Sequence, residues 1–217
     1  GQSMKTLIQL EKFNIMKIIC VGRNYVEHIK ELNNEFPDDP IIFFKPSICK
    51  LEGSNFKMHD FSSDVHHEIE IIYKISRSGK NISISDSINY ISGIGLGIDF
   101  TARDIQSEFK KKGLPWGISK SFENSAAISD FKPLNEFQDL SNINFSLSKN
   151  SIEVQKGNSK LMIFKIEYLI HYISKFIPLE ENDIIFSGTP KGVDKIKEGD
   201  KLEGYIENEK ILNINII

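Results

Sequence analysis

Apolar positions along this 217-residue chain fall into short runs of β-branched and aromatic residues, bounded by Gly, Asn, Asp or Ser. Residues 17–21, 41–44, 65–75, 91–98, 144–147, 152–155, 183–186, 201–206 and 211–216 read as strands. A hairpin is expected around residues 149–151. Three segments read as helices. Residues 25–32 form a short polar one. Residues 101–112 open with Thr101-x-x-Asp104, a variant of the capping box, and end in a lysine run before Gly113. Residues 166–176 carry Ile166, Leu169, Ile170 and Ile173 at helical spacing, and Pro178 stops them. Many strands and few helices, without βαβ alternation, predict an α+β fold: mostly β, in mixed or antiparallel sheets, with a few short flanking helices.

Composition narrows the function classes. Hydrophobic residues make up 40% and charged residues 26%, as in a globular chain, and the net charge of −3 offers no basic face for nucleic acid or an anionic membrane. No apolar run approaches the roughly 20 residues that span a bilayer. Two cysteines, Cys20 and Cys49, form no CxxC pair, which argues against a disulfide framework or structural zinc. Gly1–Ser3 resembles an expression scar before Met4, and residues 1–16 read as an extension ahead of one domain, 17–217. With no targeting signal visible, a cytoplasmic protein is expected.

Chemistry concentrates in His66-His67-Glu68-Ile69-Glu70-Ile71-Ile72-Tyr73. Along a strand Glu68, Glu70 and Ile72 share one face, and His67, Ile69, Ile71 and Tyr73 share the other. Two neighbouring carboxylates in an apolar strand repel each other unless a cation neutralises them, although a solvated edge strand would show the same alternation. Asp99 ends the glycine-rich run 91–98. It fits a helix cap or a third ligand of a hard cation, for which oxygen-only donors favour Mg²⁺, Mn²⁺ or Ca²⁺ over zinc.

Six motifs in register carry a family resemblance: Gly22-Arg23-Asn24-Tyr25, Phe44-Lys45-Pro46-Ser47, His66-His67-Glu68-Ile69-Glu70, Asp99-Phe100-Thr101-Ala102-Arg103-Asp104, Lys120-Ser121-Phe122 and Gly188-Thr189-Pro190-Lys191-Gly192-Val193. Together they resemble the fumarylacetoacetate hydrolase family. The run 101–120, with Lys110-Lys111-Lys112-Gly113-Leu114-Pro115-Trp116, resembles its short acylpyruvate hydrolase and oxaloacetate decarboxylase branch. The resemblance implies a fumarylacetoacetase-type β-sandwich roll and a homodimer. It implies Mg²⁺ or Mn²⁺ on Glu68, Glu70 and Asp99. It also implies a catalytic His28–Glu31 pair on a mobile lid, an active-site Lys120, and substrate contacts from Arg23, Gln106 and Thr189. Lys45 is a further candidate near the substrate, the alternative being a buried stem with a surface head.

The activity these parts imply is metal-dependent cleavage of the C–C bond of acylpyruvate-type diketo acids, releasing pyruvate, with oxaloacetate decarboxylation through the same enolate. The alternative within the family is a keto–enol tautomerase or isomerase of oxaloacetate or a related β-keto acid. A catalytically silent metal-binding scaffold is a third reading, which would need neither His28, Glu31 nor Lys120.

Overall fold

The computed structural model describes residues 16–217, so the expected extension lies, except for Met16, outside the described residues. The first half of the chain forms β1 (Ile18–Gly22), α1 (Val26–Glu31), β2 (Ile41–Lys45), β3 (Asn55–Phe56), β4 (Val65–His67), β5 (Ile69–Ile75), β6 (Ile91–Asp99), β7 (Thr101–Ala102), α2 (Arg103–Lys111) and α3 (Gly117–Lys120). The second half forms β8 (Ala126–Ile128), β9 (Asn144–Lys149), β10 (Ile152–Asn158), α4 (Ile166–Phe176), β11 (Ile184–Phe186), β12 (Asp194–Lys195), β13 (Lys201–Ile206) and β14 (Glu209–Ile216). No helix among the described residues is long and apolar enough to cross a membrane.

A six-stranded sheet in the order β2-β1-β11-β5-β6-β8 packs on a five-stranded sheet, β10-β9-β13-β14-β3, and a small sheet, β12-β4-β7, lies at one end. Pairing is mostly antiparallel, but β1 with β11 and β14 with β3 run parallel, so the sheets are mixed. The six-stranded sheet curls. The segment after β2 reaches the opposite edge strand β8 through a bridge between Lys50 and Ala126. Alternation then sorts the β5 side chains: Ile69, Ile71 and Tyr73 enter the large core between the sheets, and Ile72 joins Ile18, Cys20, Ala126 and Phe186 inside the curl.

Two local expectations change. The strand expected over 65–75 breaks at Glu68, because β4 pairs with β7 and β12 while β5 pairs with β6 and β11. The helix expected from Thr101 begins at Arg103, with Ala102 at its N-cap position and no side-chain cap. Thr101 belongs to β7 instead, and Asp104 accepts from Ser62 Oγ at 2.6 Å and from Ser63 N at 3.0 Å. Asp99 does not cap that helix either.

Register places the acids together. Glu70 stands opposite Gly97, and Asp99 N donates to Glu68 O at 2.9 Å, so the three carboxylates converge at one end of the curl's interior. A glycine at 97 leaves room for neighbours to fill: an added Cβ would lie 2.4 Å from Phe186 Cε1 and 2.9 Å from Ile72 Cγ2. Gly97→Ala is therefore expected to cost about 1–3 kcal/mol through overpacking. Gly117→Ala, where nothing lies within 4 Å of the added carbon, is expected to leave the thermal midpoint nearly unchanged.

Candidate active site

Glu68, Glu70 and Asp99 are buried, and each offers an oxygen within 4.8 Å of the others'. Cations from three separate elements surround them. Arg103, at the start of α2, pairs with Glu68 and donates to Gln106 Oε1 at 2.6 Å. Lys120, ending α3, donates to Glu68 Oε2 at 2.8 Å, Asp99 Oδ2 at 2.7 Å and Thr101 Oγ1 at 2.7 Å. Lys45, ending β2, brings Nζ to 2.8 Å from Asp99 Oδ1. Its protons are directed at Phe100 O, Ser125 Oγ and Lys120 O, so Asp99 Oδ1 has an ionic neighbour but no hydrogen-bond donor.

This arrangement separates the two glutamates. Burial works against ionisation of Glu68, but Lys120 and Arg103 hold its carboxyl well below the usual range. Burial pushes Glu70 well above it, reinforced by the charges of Asp99 and Glu68. Glu70 accepts from Gly188 N at 2.7 Å and joins no ion pair among the described residues. Lys120 stays charged: despite burial, Asp99 and Glu68 raise it.

Opposite the acids, α1 contributes His28 and Glu31. Three residues apart on one helical face, they place His28 Nδ1 3.2 Å from Glu31 Oε2, which leaves Nε2 as the ring nitrogen for other contacts. Glu31 Oε1 also accepts from Gly192 N at 2.9 Å, so the segment is docked. Burial notwithstanding, these two hydrogen bonds hold Glu31 below its ordinary value. The docking loop requires its glycines. Gly188 has φ 104° and Gly192 φ 99°, and a Cβ on Gly192 would come within 2.2 Å of Val154 O.

Arg23, His28, Gln106, Lys120 and Thr189 share one cavity with the three acids, its volume about 30 Å³. That is space for one or two waters. Lys45 is not on its lining, and its ammonium is buried behind Asp99 rather than exposed at the surface. It is a counter-charge to the acid cluster, and the surface head is corrected because the side chain is fully buried.

Residues 17–215 match the family described as Fumarylacetoacetate (FAA) hydrolase C-terminal. The chain belongs to the fumarylacetoacetate hydrolase family. It is 42% identical over 191 residues to the mitochondrial oxaloacetate tautomerase FAHD1 of Rattus norvegicus, covering 88% of this chain and 86% of that one. It is 43% identical over 185 residues to the mitochondrial oxaloacetate decarboxylase of Dictyostelium discoideum, covering 84% and 85%. The crystal structure of fumarylpyruvate hydrolase from Pseudomonas aeruginosa in complex with Mn²⁺ and pyruvate superposes with a TM-score of 0.88 at 26% identity, covering 94% and 90%.

The donor set of this family member fits a hard divalent cation. Three buried carboxylates supply oxygen only, Glu70 lacks a counter-charge, and Asp99 Oδ1 lacks a donor. Sequence reading gave no role to Arg103, Thr101, Lys110 or Gln155. Spacing carried a signal for two of them, since Arg103, Gln106 and Lys110 fall at i, i+3 and i+7 on α2. Gln155 gives no such signal. It arrives from β10, where Oε1 meets His67 Nδ1 at 2.9 Å and Ile69 N at 3.1 Å, and Nε2 donates to Thr189 Oγ1 at 2.9 Å. His67 thus faces away from the acids, as alternation predicts.

Two outcomes follow from these environments. Glu70→Gln keeps the side-chain volume but removes the carboxyl that would hold a cation, and is expected to leave the melting temperature of metal-free protein unchanged or higher while abolishing the rise that Mg²⁺ produces, both read by thermal denaturation. Burial, partly opposed by Gln155, lowers the His67 imidazole to about 4 from 6.5. The unfolded chain therefore binds the extra proton between these values, and stability falls as pH drops from 6.5 toward 4. Between pH 7 and pH 5 the loss is about 2 kcal/mol, and chemical denaturation of His67→Gln should show a correspondingly flatter pH dependence.

Proposed function

We propose that this chain is a divalent-metal-dependent enzyme that interconverts the keto and enol forms of oxaloacetate, and that decarboxylation of the same acid is a secondary activity through the same enolate. The observation that carries this reading is the opposition of His28–Glu31 to Lys120 and the acid cluster across one small cavity. Support comes from relatives above 40% identity that are named oxaloacetate tautomerase and decarboxylase.

Glu68, Glu70 and Asp99 would hold Mg²⁺ or Mn²⁺, which supplies a Lewis acid for the keto oxygen. His28 Nε2 takes a proton from C3, and Glu31 at Nδ1 orients the ring and steadies the imidazolium. Negative charge moves to the C2 oxygen, where Lys120 stabilises it. The His28 imidazolium gives that proton to the C2 oxygen, directly or through a water, to form the enol, and the reverse sequence returns the ketone. Loss of carbon dioxide from C4 produces the same type of enolate without the C3 proton transfer. Because the docked α1 leaves so small a cavity, substrate entry requires the Glu31–Gly192 contact to open, which makes α1 and the segment after it a lid.

A second reading is hydrolysis of acylpyruvates, favoured by the likeness to the fumarylpyruvate hydrolase. His28 would then activate a water for attack on the distal carbonyl. An assay separates the two. With Mg²⁺ or Mn²⁺, the decay of enol absorbance in fresh oxaloacetate should accelerate without stoichiometric pyruvate, and EDTA should abolish the effect. Lys120→Met is expected to lower this rate about 10²–10³-fold. Stoichiometric pyruvate from acetylpyruvate, with no acceleration of oxaloacetate tautomerisation, would establish the hydrolase reading instead.

A further inference from the structure

Charge is divided unevenly along the cavity. At its floor the three carboxylates meet three cations, Lys45, Lys120 and Arg103. At its mouth Arg23 and Lys110 face the same space, and neither joins an ion pair among the described residues. Their contacts are neutral. Lys110 Nζ donates to Asn34 Oδ1 at 2.6 Å, Arg23 Nη1 reaches Glu35 O at 3.4 Å, and the Arg23 guanidinium stands 6.0 Å from the Trp116 ring centre. Arg23 Nε is buried with no acceptor.

The backbone takes an unusual conformation to place these groups. Arg23 has φ 55°, a left-handed conformation that a side chain adopts at some cost and that clusters at ligand clamps. Lys110 lies on the α2 face that carries Arg103 and Gln106, one and two turns further toward the mouth. Burial, with Arg23 and Arg103 nearby, lowers the Lys110 ammonium from its ordinary value. Two cations line the same cavity without an ion-pair partner among the described residues, and one of them carries a buried donor with no acceptor.

We propose that Arg23 and Lys110 form a second anion subsite at the cavity mouth, which takes the distal carboxylate of a dicarboxylic α-keto acid. The proposal rests on the reading of the floor as an α-keto acid site, and adds to it the selection of diacids over monoacids. A carboxylate there accepts charge-assisted hydrogen bonds from both side chains. Asn34 and Glu35 belong to the segment between α1 and β2, so the same carboxylate also ties that segment to α2.

The experiment compares three probes on the Mg²⁺-loaded enzyme: oxalate, which reaches the floor alone; 2-oxobutanoate, which has a methyl group in place of the distal carboxylate; and oxaloacetate. Inhibition constants are measured for the first two and KM for the third. Lys110 is exposed, so Lys110→Met leaves the core intact. This variant is expected to erase about 10- to 100-fold of the preference for oxaloacetate over 2-oxobutanoate, with oxalate inhibition changing by less than about threefold and Lys110→Arg restoring most of the preference. Equal weakening of all three probes would overturn the subsite and leave Lys110 as a latch on Asn34. No change in any of them would also overturn it. Failure of oxalate to inhibit the wild-type enzyme would instead overturn the reading of the floor, and the subsite with it.

Discussion

Three carboxylates buried within 4.8 Å of one another are the constraint on which the rest of the structure depends. Each costs several kcal/mol to remove from water as an ion, and their mutual repulsion adds to that. The fold meets the cost with Lys45 from β2, Arg103 from α2 and Lys120 from α3. Segments distant in sequence are thereby held at one point. The pairs overlap, since Lys120 shares Glu68 with Arg103 and Asp99 with Lys45, so each of these two acids keeps one partner if a single cation is removed. Compensation remains incomplete at Glu70, and a divalent cation would complete it.

The same cluster orders its surroundings through hydrogen bonds to the backbone. Glu70 holds Gly188 N, and Thr189 Oγ1 donates to Ile69 O at 2.8 Å, so the loop on which α1 docks is bound to β5, the strand that carries Glu70. Asn24 completes the frame from the other side. Its amide donates to Ser187 O at 2.8 Å and Phe164 O at 3.0 Å, and its Oδ1 accepts from Phe164 N at 2.7 Å. Asn24, two residues before α1, is thus fixed to Ser187, the residue just before Gly188. Both ends of the Glu31–Gly192 contact are thereby tied to one frame.

Three residues of one helix line the cavity. Arg103 at the start of α2 neutralises Glu68, Gln106 lines the middle of the cavity, and Lys110 reaches the mouth. One rigid element thus runs along the cavity wall. This explains how a helix with few buried residues keeps its place: polar contacts at Arg103 and Gln106 substitute for an apolar face.

Local pattern determined much of this protein. β-branched runs marked the main strands, and period-two alternation put Glu68 and Glu70 on one face with His67 on the other. These are properties of neighbours along the chain, set by backbone geometry that every sequence shares. The break at Glu68, the start of α2 at Arg103, and the short strands β3, β7, β8 and β12 were not legible, because each depends on which partner strand supplies hydrogen bonds. The same holds for charge. An isolated Lys45 reads as a surface head on a buried stem, and only the curl of the six-stranded sheet carries it to Asp99. Gln155 offers no motif at all, yet it joins His67 to Thr189 from a different sheet. Sequence determined which groups are present and which face of their own element they share. Tertiary structure alone decided which charges meet, because Coulomb energy and desolvation depend on distances through space that the order of residues does not contain.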